Sequence, residues 1–318
     1  MKSFLSLFYL ILILVGFYGI FNKVESKHSE TQKITLFSEA FGNKNHPAIL
    51  LNAGAGSQSI VWADVFCKKL AEKRYFVIRY DYRDTGLSSQ VQDEITPYTI
   101  HDLAKDALNI LKKYHIQKGH IVGFSMGGQI AQFLGAYYPD HVLSLILIGT
   151  STDFKPGFDA FEGKFKNEGL SPPNQNYVTW ATRQVDLDAQ TLDEKVEDYI
   201  KTWRYLDGNS PRFNKDYYRN EGIRNYTRTK LHKPYLKHAR AMKSSFKDHK
   251  KAPSLIKSPT LILQGAQDPV FGIDHGKKLN SQIKNSTLLI WDDFAHAISP
   301  QNFDRIIEEI DRFIKSHF

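Results

Sequence analysis

A single cysteine, Cys67, among 318 residues excludes two classes of protein at once. It cannot form an intramolecular disulfide, and it cannot build a thiolate zinc cluster. No His or Cys pairs stand at metal-ligand spacing, so no metal is expected. The chain also lacks a helix-turn-helix, a zinc finger and an aromatic RNA-binding signature, which argues against nucleic acid as a partner. Internal repeats and low-complexity tracts are missing, and with 42% hydrophobic and 13% aromatic residues wholesale disorder is excluded. Cys67 itself falls in a helical pattern (Ile60–Lys73), where a buried structural thiol is expected.

Charge of one sign is scarce everywhere except in one stretch. Between Lys201 and Lys257 stand sixteen Lys and Arg against four Asp and Glu, although the whole chain carries only +8. Two readings of that stretch compete, a solvated basic helix face and contact with an anionic membrane surface.

Long uncharged runs are equally rare, and the exception is at the N-terminus. After Lys2, Phe4 to Phe21 (FLSLFYLILILVGFYGIF) is uncharged for eighteen residues, long for a signal-peptide core and just enough to span a bilayer. No small-x-small cleavage site follows cleanly, since Val24-Glu25-Ser26 carries a charge in its middle. Residues 1–26 are therefore expected to be a signal-anchor, or a signal peptide if they are cleaved. Lys2 would stay inside, which puts the remainder outside the cytoplasm, anchored or secreted. A polar linker (Asn22–Gln32) follows.

Beyond it, short apolar runs alternate with helical patterns. Ile34–Glu39, Ala48–Asn52, Phe76–Tyr80, His120–Phe124 and Leu143–Ile148 read as strands, the last four apolar throughout as in strands covered on both faces. Helical patterns at Ile60–Lys73, Thr99–Lys113 and Met126–Tyr138 lie between them. This succession predicts an α/β fold with a mostly parallel sheet flanked by helices. From Ser151 to Lys257 strand-like runs vanish and charged, aromatic helical segments take over. The sheet pattern resumes at Pro259–Gln264 and Ser286–Trp291 and ends in a helix, Pro300–Ser316. The expected organisation is thus a core of residues 33–150 and 258–318 with an inserted helical cap, 151–257.

The strand His120–Phe124 runs directly into Gly123-Phe124-Ser125-Met126-Gly127-Gly128, a G-x-S-x-G nucleophile elbow in the strand–turn–helix setting it needs. A serine there must project from a sharp, strained turn, and small residues such as Gly123 and Gly127 are needed because backbone packs closely two positions on either side. The following helix aims its first amides at any oxyanion formed beside Ser125. A serine needs a base, and the base needs an orienting acid. Asp268 lies just past the strand Pro259–Gln264, and His296 just past Ser286–Trp291, where catalytic groups gather in open α/β sheets. His101, His115, His120 and His141 lie in or beside helices and strands and read as surface or packing residues. Asp153 is a second candidate for the acid. A Gly-rich loop after an early strand, Asn52-Ala53-Gly54-Ala55-Gly56-Ser57, offers the Gly54 amide to an oxyanion hole alongside that of Met126. It lacks the Lys-Ser/Thr ending of a P-loop and the spacing of a dinucleotide fingerprint.

These features resemble the α/β-hydrolase fold family and, within it, esterases of the aclacinomycin methylesterase type. The likeness spans about Ala48 to Ile314. It rests on Gly123–Gly128, on Val77-Ile-Arg-Tyr-Asp81-Tyr-Arg83-Asp84-Thr85-Gly86-Leu-Ser88, on Asp268-Pro269 with His275-Gly276-Lys277, and on Lys201-Thr-Trp203-Arg204-Tyr-Leu-Asp-Gly208. The resemblance implies Ser125 as nucleophile, Asp268 as acid, His296 as base, and no cofactor. Two departures stand out. Many relatives have His-Gly where this chain has Asn52-Ala53, and the Gly usual before the base is Ala295 here. The Asp81–Ser88 segment reads as a structural turn in which Arg83 and Asp84 pair with each other.

The expected activity is cleavage of a small or lipophilic carboxylic ester through an acyl-enzyme. The cap aromatics Phe158, Phe161, Phe165, Tyr177, Trp180, Trp203 and Tyr205 are candidates for an apolar pocket, or else form the core of the cap. A lipase-like acylglycerol hydrolase, a peptidase and a C–C bond hydrolase remain open, as does a non-catalytic binding protein on the same scaffold. Scaffold proteins of that last kind often lose a triad member or an elbow glycine, and this chain keeps both.

Overall fold

The computed structural model describes residues 33–91, 98–165, 169–185, 191–208, 210–229 and 235–318. The apolar stretch Phe4–Phe21 and the linker lie outside the described residues. Among the described residues no helix is long and apolar enough to cross a membrane.

Seven strands are described: β1 (Ser38–Phe41), β2 (Ala48–Asn52), β3 (Phe76–Tyr80), β4 (Gly119–Phe124), β5 (Val142–Ile148), β6 (Thr260–Gly265) and β7 (Ser286–Trp291). They form one sheet in the order β1-β3-β2-β4-β5-β6-β7, parallel except for β1, which runs antiparallel to β3. Every residue of β2, β3, β4 and β6 is buried, which is why these runs carry no polar alternation. Arg79 is the exception inside β3. Its fully buried guanidinium is neutralised by Glu39 and Asp64 and donates to the carbonyl of Trp62.

The first strand departs from expectation. Ile34–Glu39 is expected and Ser38–Phe41 is found, because residues 35–37 bond to a loop instead of to the sheet. Thr35 and Ser89 exchange hydrogen bonds, and the Phe37 amide donates to Ser88 Oγ. The helix expected over Ile60–Lys73 is also split. A short 3₁₀ turn at Ser59–Val61 precedes α1 (Asp64–Glu72), which buries Cys67. Burial pushes that thiol up to about 12, so it stays protonated and inert.

Two more helices pack against the first half of the sheet. α2 (Ile100–Lys113) opens with a capping box between Thr99 and Asp102. α3 (Met126–Tyr137) follows β4 with no side-chain cap. Between β5 and β6 the chain forms α4 (Lys155–Phe161), α5 (Gln175–Val185), α6 (Leu192–Leu206), α7 (Lys215–Thr227), α8 (Tyr235–Ser244) and α9 (Phe246–Leu255). α10 (Ile273–Gln282) and α11 (Phe303–His317) complete the sheet unit, α10 packing on β6 and β7 and α11 on α1.

The basic stretch has a use beyond the two readings given to it. Arg224 pairs with Asp64, Arg228 with the fully buried Asp81, and Lys237 with Asp84, so α7 and α8 are pinned to the sheet unit by cation–carboxylate contacts. Asp81 also accepts from the amides of Ser59 and Leu87. The expected pairing of Arg83 with Asp84 is not found. Arg83 forms a two-pronged bond to Asp106 on α2, and Asp84 faces Lys237. Adjacent residues in this turn point to different neighbours, Arg83 to the buried Asp106 and Asp84 to the half-buried Lys237.

Candidate active site

The end of β4 shapes the site. Ser125 adopts φ 55° and ψ −120°, a backbone region that L-residues rarely occupy. Its amide donates to the Ile148 carbonyl at 3.0 Å, and its carbonyl accepts from the Gly128 amide and from Thr150 Oγ1. The end of β5 therefore clamps the turn. The two elbow glycines are required by contact. A Cβ on Gly123 would stand 2.3 Å from the Gly127 carbonyl oxygen, and one on Gly127 2.3 Å from that of Asn52.

The side chain of Ser125 meets His296, whose Nε2 lies 3.1 Å from Ser125 Oγ. On the other side of the ring, Nδ1 lies 2.7 Å from Asp268 Oδ2. The remaining carboxylate oxygen of Asp268 accepts from the amides of Val270 and Phe271 at 2.7 and 2.8 Å. Both lone-pair faces of the acid are thus occupied, and it can only present one oxygen to the histidine. Asp268 and His296 are buried and Ser125 is half-buried, so the reacting end of the chain of groups is the accessible one. Asp153 does not compete as the acid. Its carboxylate turns back to the Lys155 amide and toward Lys250.

The loop after β2 reaches the same place. A Cβ on Gly54 would lie 3.6 Å from Ser125 Cβ, so this residue adjoins the serine. The preceding carbonyl, Ala53 O, accepts from Tyr82 Oη at 3.0 Å. In a trans peptide N–H and C=O point in opposite directions, so the Gly54 amide is turned away from Tyr82. The Met126 amide is the first of α3 and has no acceptor inside the helix. Beside this loop, Asn52 donates to the Val122 carbonyl and accepts from Tyr80 Oη.

Several neighbours escaped the sequence reading. Gly149 sits at φ +49°, and a Cβ there would come within 3.3 Å of both Asp268 Oδ2 and His296 Nδ1. A glycine at the end of a buried strand is the signal that could have flagged it. Phe124 and Phe271 pack their rings on His296, at 4.9 and 5.6 Å between centroids. The His296 amide donates to the Leu206 carbonyl, the end of α6.

The aromatics of the inserted helices divide into groups. Trp180 stacks on Tyr205 at 5.0 Å and Tyr177 packs beside Tyr205 at 5.9 Å, three residues after Asn174, whose amide donates to the carbonyl of Pro269 next to the acid. Trp203 stacks on Tyr218 and Phe158 packs on Phe246, both inside the helical layer. Phe161 and Phe165 are exposed. Among the described residues no group of three or more His, Cys, Asp or Glu is arranged to hold a metal ion.

A family model for the alpha/beta hydrolase fold matches residues 47–303. The chain is 30% identical over 274 residues to the rhodomycin D methylesterase DnrP of Streptomyces peucetius, covering 84% of this chain and 90% of that one. It is 25% identical to 3-oxoadipate enol-lactonase 2 of Acinetobacter baylyi, covering 88% and 94%. Among solved structures, the esterase RhEst1 of Rhodococcus sp. ECU1013 superposes with a TM-score of 0.68 at 20% identity, over 90% of this chain and 96% of that one, a likeness of fold.

Proposed function

This chain belongs to the α/β-hydrolase fold family, and we propose that it acts there as a serine esterase cleaving a small or lipophilic carboxylic ester. The observation that carries the reading is the unbroken line from the strained Ser125 through His296 to Asp268. In this mechanism Ser125 Oγ attacks the ester carbonyl while His296 Nε2 takes its proton, and Asp268 steadies the imidazolium that results. The amides of Gly54 and Met126 receive the oxyanion. His296 returns the proton to the leaving alcohol, then takes one from a water that attacks the acyl carbonyl and gives it to Ser125 Oγ as the acid leaves. Residues 151–257 serve as a helical cap on the core of 33–150 and 258–318, and Tyr177, Trp180 and Tyr205 offer an apolar wall on the acid's side.

The named relatives are a rhodomycin D methylesterase and a 3-oxoadipate enol-lactonase, so methyl esters and enol-lactones belong in the substrate panel. The test begins with protein starting at Lys27, a p-nitrophenyl ester series of increasing acyl length, and a fluorophosphonate probe. Turnover that peaks at one length, with both turnover and labelling lost in Ser125→Ala, is the expected result. A folded protein that neither turns over any ester nor labels would overturn the esterase reading and leave a binding protein on a hydrolase scaffold.

Location is part of the same proposal. The Phe4–Phe21 stretch inserts with Lys2 inside and delivers the hydrolase outside the cytoplasm, anchored or, after cleavage, free. Protease added to intact cells should then digest the full-length protein, and full protection would count against this placement.

A further inference from the structure

The loop that carries Gly54 is gripped from above by a histidine of the inserted helices. His238, on α8, is fully buried. Its Nδ1 accepts from the Gly56 amide at 2.9 Å, and its Nε2 lies 3.2 Å from the Arg83 carbonyl. A carbonyl oxygen only accepts and an amide N–H only donates, so the ring carries its proton on Nε2 and is neutral. Burial supports that state by pushing the ring's pKa down to about 4. The edges of Tyr82 and Tyr98 enclose the ring at 5.6 and 6.2 Å.

Gly56 is in no position to choose another partner. It sits at φ +71°, and the start of α8 lies against it so closely that a Cβ would stand 2.8 Å from Tyr235 Cβ. The Ser57 amide donates back to the Gly54 carbonyl at 3.2 Å, which closes a tight turn with Gly56 as its third residue. The turn therefore has three tethers. Tyr82 holds the carbonyl before Gly54, Ser57 holds the carbonyl of Gly54, and His238 holds the amide of Gly56. Two of them come from the turn and the sheet unit, and the third comes from a helix 182 residues away in sequence.

We propose that His238 is a positioning residue for the oxyanion hole: by accepting from the Gly56 amide it fixes the Gly54–Ser57 turn, so that the Gly54 amide is aimed at the reacting carbonyl only while α8 is docked. The proposal rests on the esterase reading above. It deepens that reading by making the inserted helices a working part of the machinery for transition-state stabilisation, beyond any wall they give to the substrate. No chemistry passes through His238 itself, which never touches the reacting atoms.

The variants His238→Asn and His238→Gln separate this role from mere filling of space. Asn places its carbonyl oxygen where Nδ1 stood and keeps an acceptor for Gly56. Gln reaches the Nε2 end and leaves the Gly56 amide without one. With p-nitrophenyl acetate and butyrate, kcat is expected to fall about tenfold or more in His238→Gln, with KM little changed, and to stay within about threefold of wild type in His238→Asn. Inhibition by a trifluoromethyl ketone, whose adduct places an oxyanion in the hole, should weaken in parallel with kcat. Equal kcat and equal ketone affinity in the two variants, in protein that melts like wild type, would overturn the role of His238 and leave the esterase standing. A wild type that neither hydrolyses nor labels at Ser125 fells the esterase reading and this inference with it, so the two failures are told apart by the wild-type control.

Discussion

The backbone amide of His296 donates to the carbonyl of Leu206 at 2.8 Å, so the last residue of α6 holds the loop that carries the candidate base. The neighbouring Asp207 is buried, and its carboxylate accepts from Gln301 across the same seam. Burial raises the Asp207 carboxyl to about 6 from an ordinary 3.8, against hydrogen bonds from Ser299 and Gln301 that lower it. A carboxyl whose folded pKa is raised costs stability when ionised, and that cost appears as pH rises from the unfolded value through the folded one. The melting temperature of Asp207→Asn minus that of wild type should therefore grow between pH 4 and 6 and level off above. A difference that ignores pH across this window would show that Asp207 is not strained by its charge.

Gly149 offers a second test. Its left-handed backbone alone makes Gly149→Ala cost about 1–2 kcal/mol. The new methyl would also press on both Asp268 and His296 from 3.3 Å. We expect kcat to fall roughly 10- to 100-fold with a smaller change in KM, because the acid–base pair is displaced while the rest of the surface is unchanged. Steady-state kinetics on a p-nitrophenyl ester, read beside a denaturation curve, separates the two effects.

Tyr82→Phe removes a single hydroxyl, the one that holds the Ala53 carbonyl. A stability loss of about 1 kcal/mol is expected from the missing bond. The kinetic effect is the more telling one. If the Ala53–Gly54 peptide is aimed by this bond, kcat drops roughly 3- to 10-fold at constant KM. Unchanged kcat in the Phe variant would mean that the turn keeps its orientation without Tyr82.

The charge hub at Asp81 predicts a purely structural defect. Its carboxylate is fully buried and serves the Ser59 amide, the Leu87 amide and Arg228. Asp81→Ala strands all three and should cost about 3–5 kcal/mol, visible as a lower urea midpoint. A midpoint within error of wild type would show that water or a rearranged Arg228 replaces the carboxylate.

What the sequence disclosed and what it withheld differ in kind. β2, β3 and β7 lie where apolar runs placed them, and Ser125, Asp268 and His296 come together as their positions after parallel strands required. Those features depend on local pattern and on one topological rule. The contacts of Gly149, Leu206 and His238 do not. Leu206 contributes only its carbonyl, which every residue possesses, so no side-chain type marks it, and Gly149 is marked only by being a glycine after a buried strand. His238 was hidden for another reason, because a histidine in a basic, helical stretch looks like surface until the helix is seen to be buried. Arg83 and Asp84 misled in the opposite direction, since adjacency in sequence suggested a pair that the turn geometry splits.

The inserted helices meet the sheet unit through the Leu206 carbonyl, through Arg224, Arg228 and Lys237, and through His238. Such a seam makes the insert a poor candidate for transplantation. A helical segment borrowed from another hydrolase would bring its own lining for the substrate but would arrive without these five attachments, and the recipient's loops would lose their bearings.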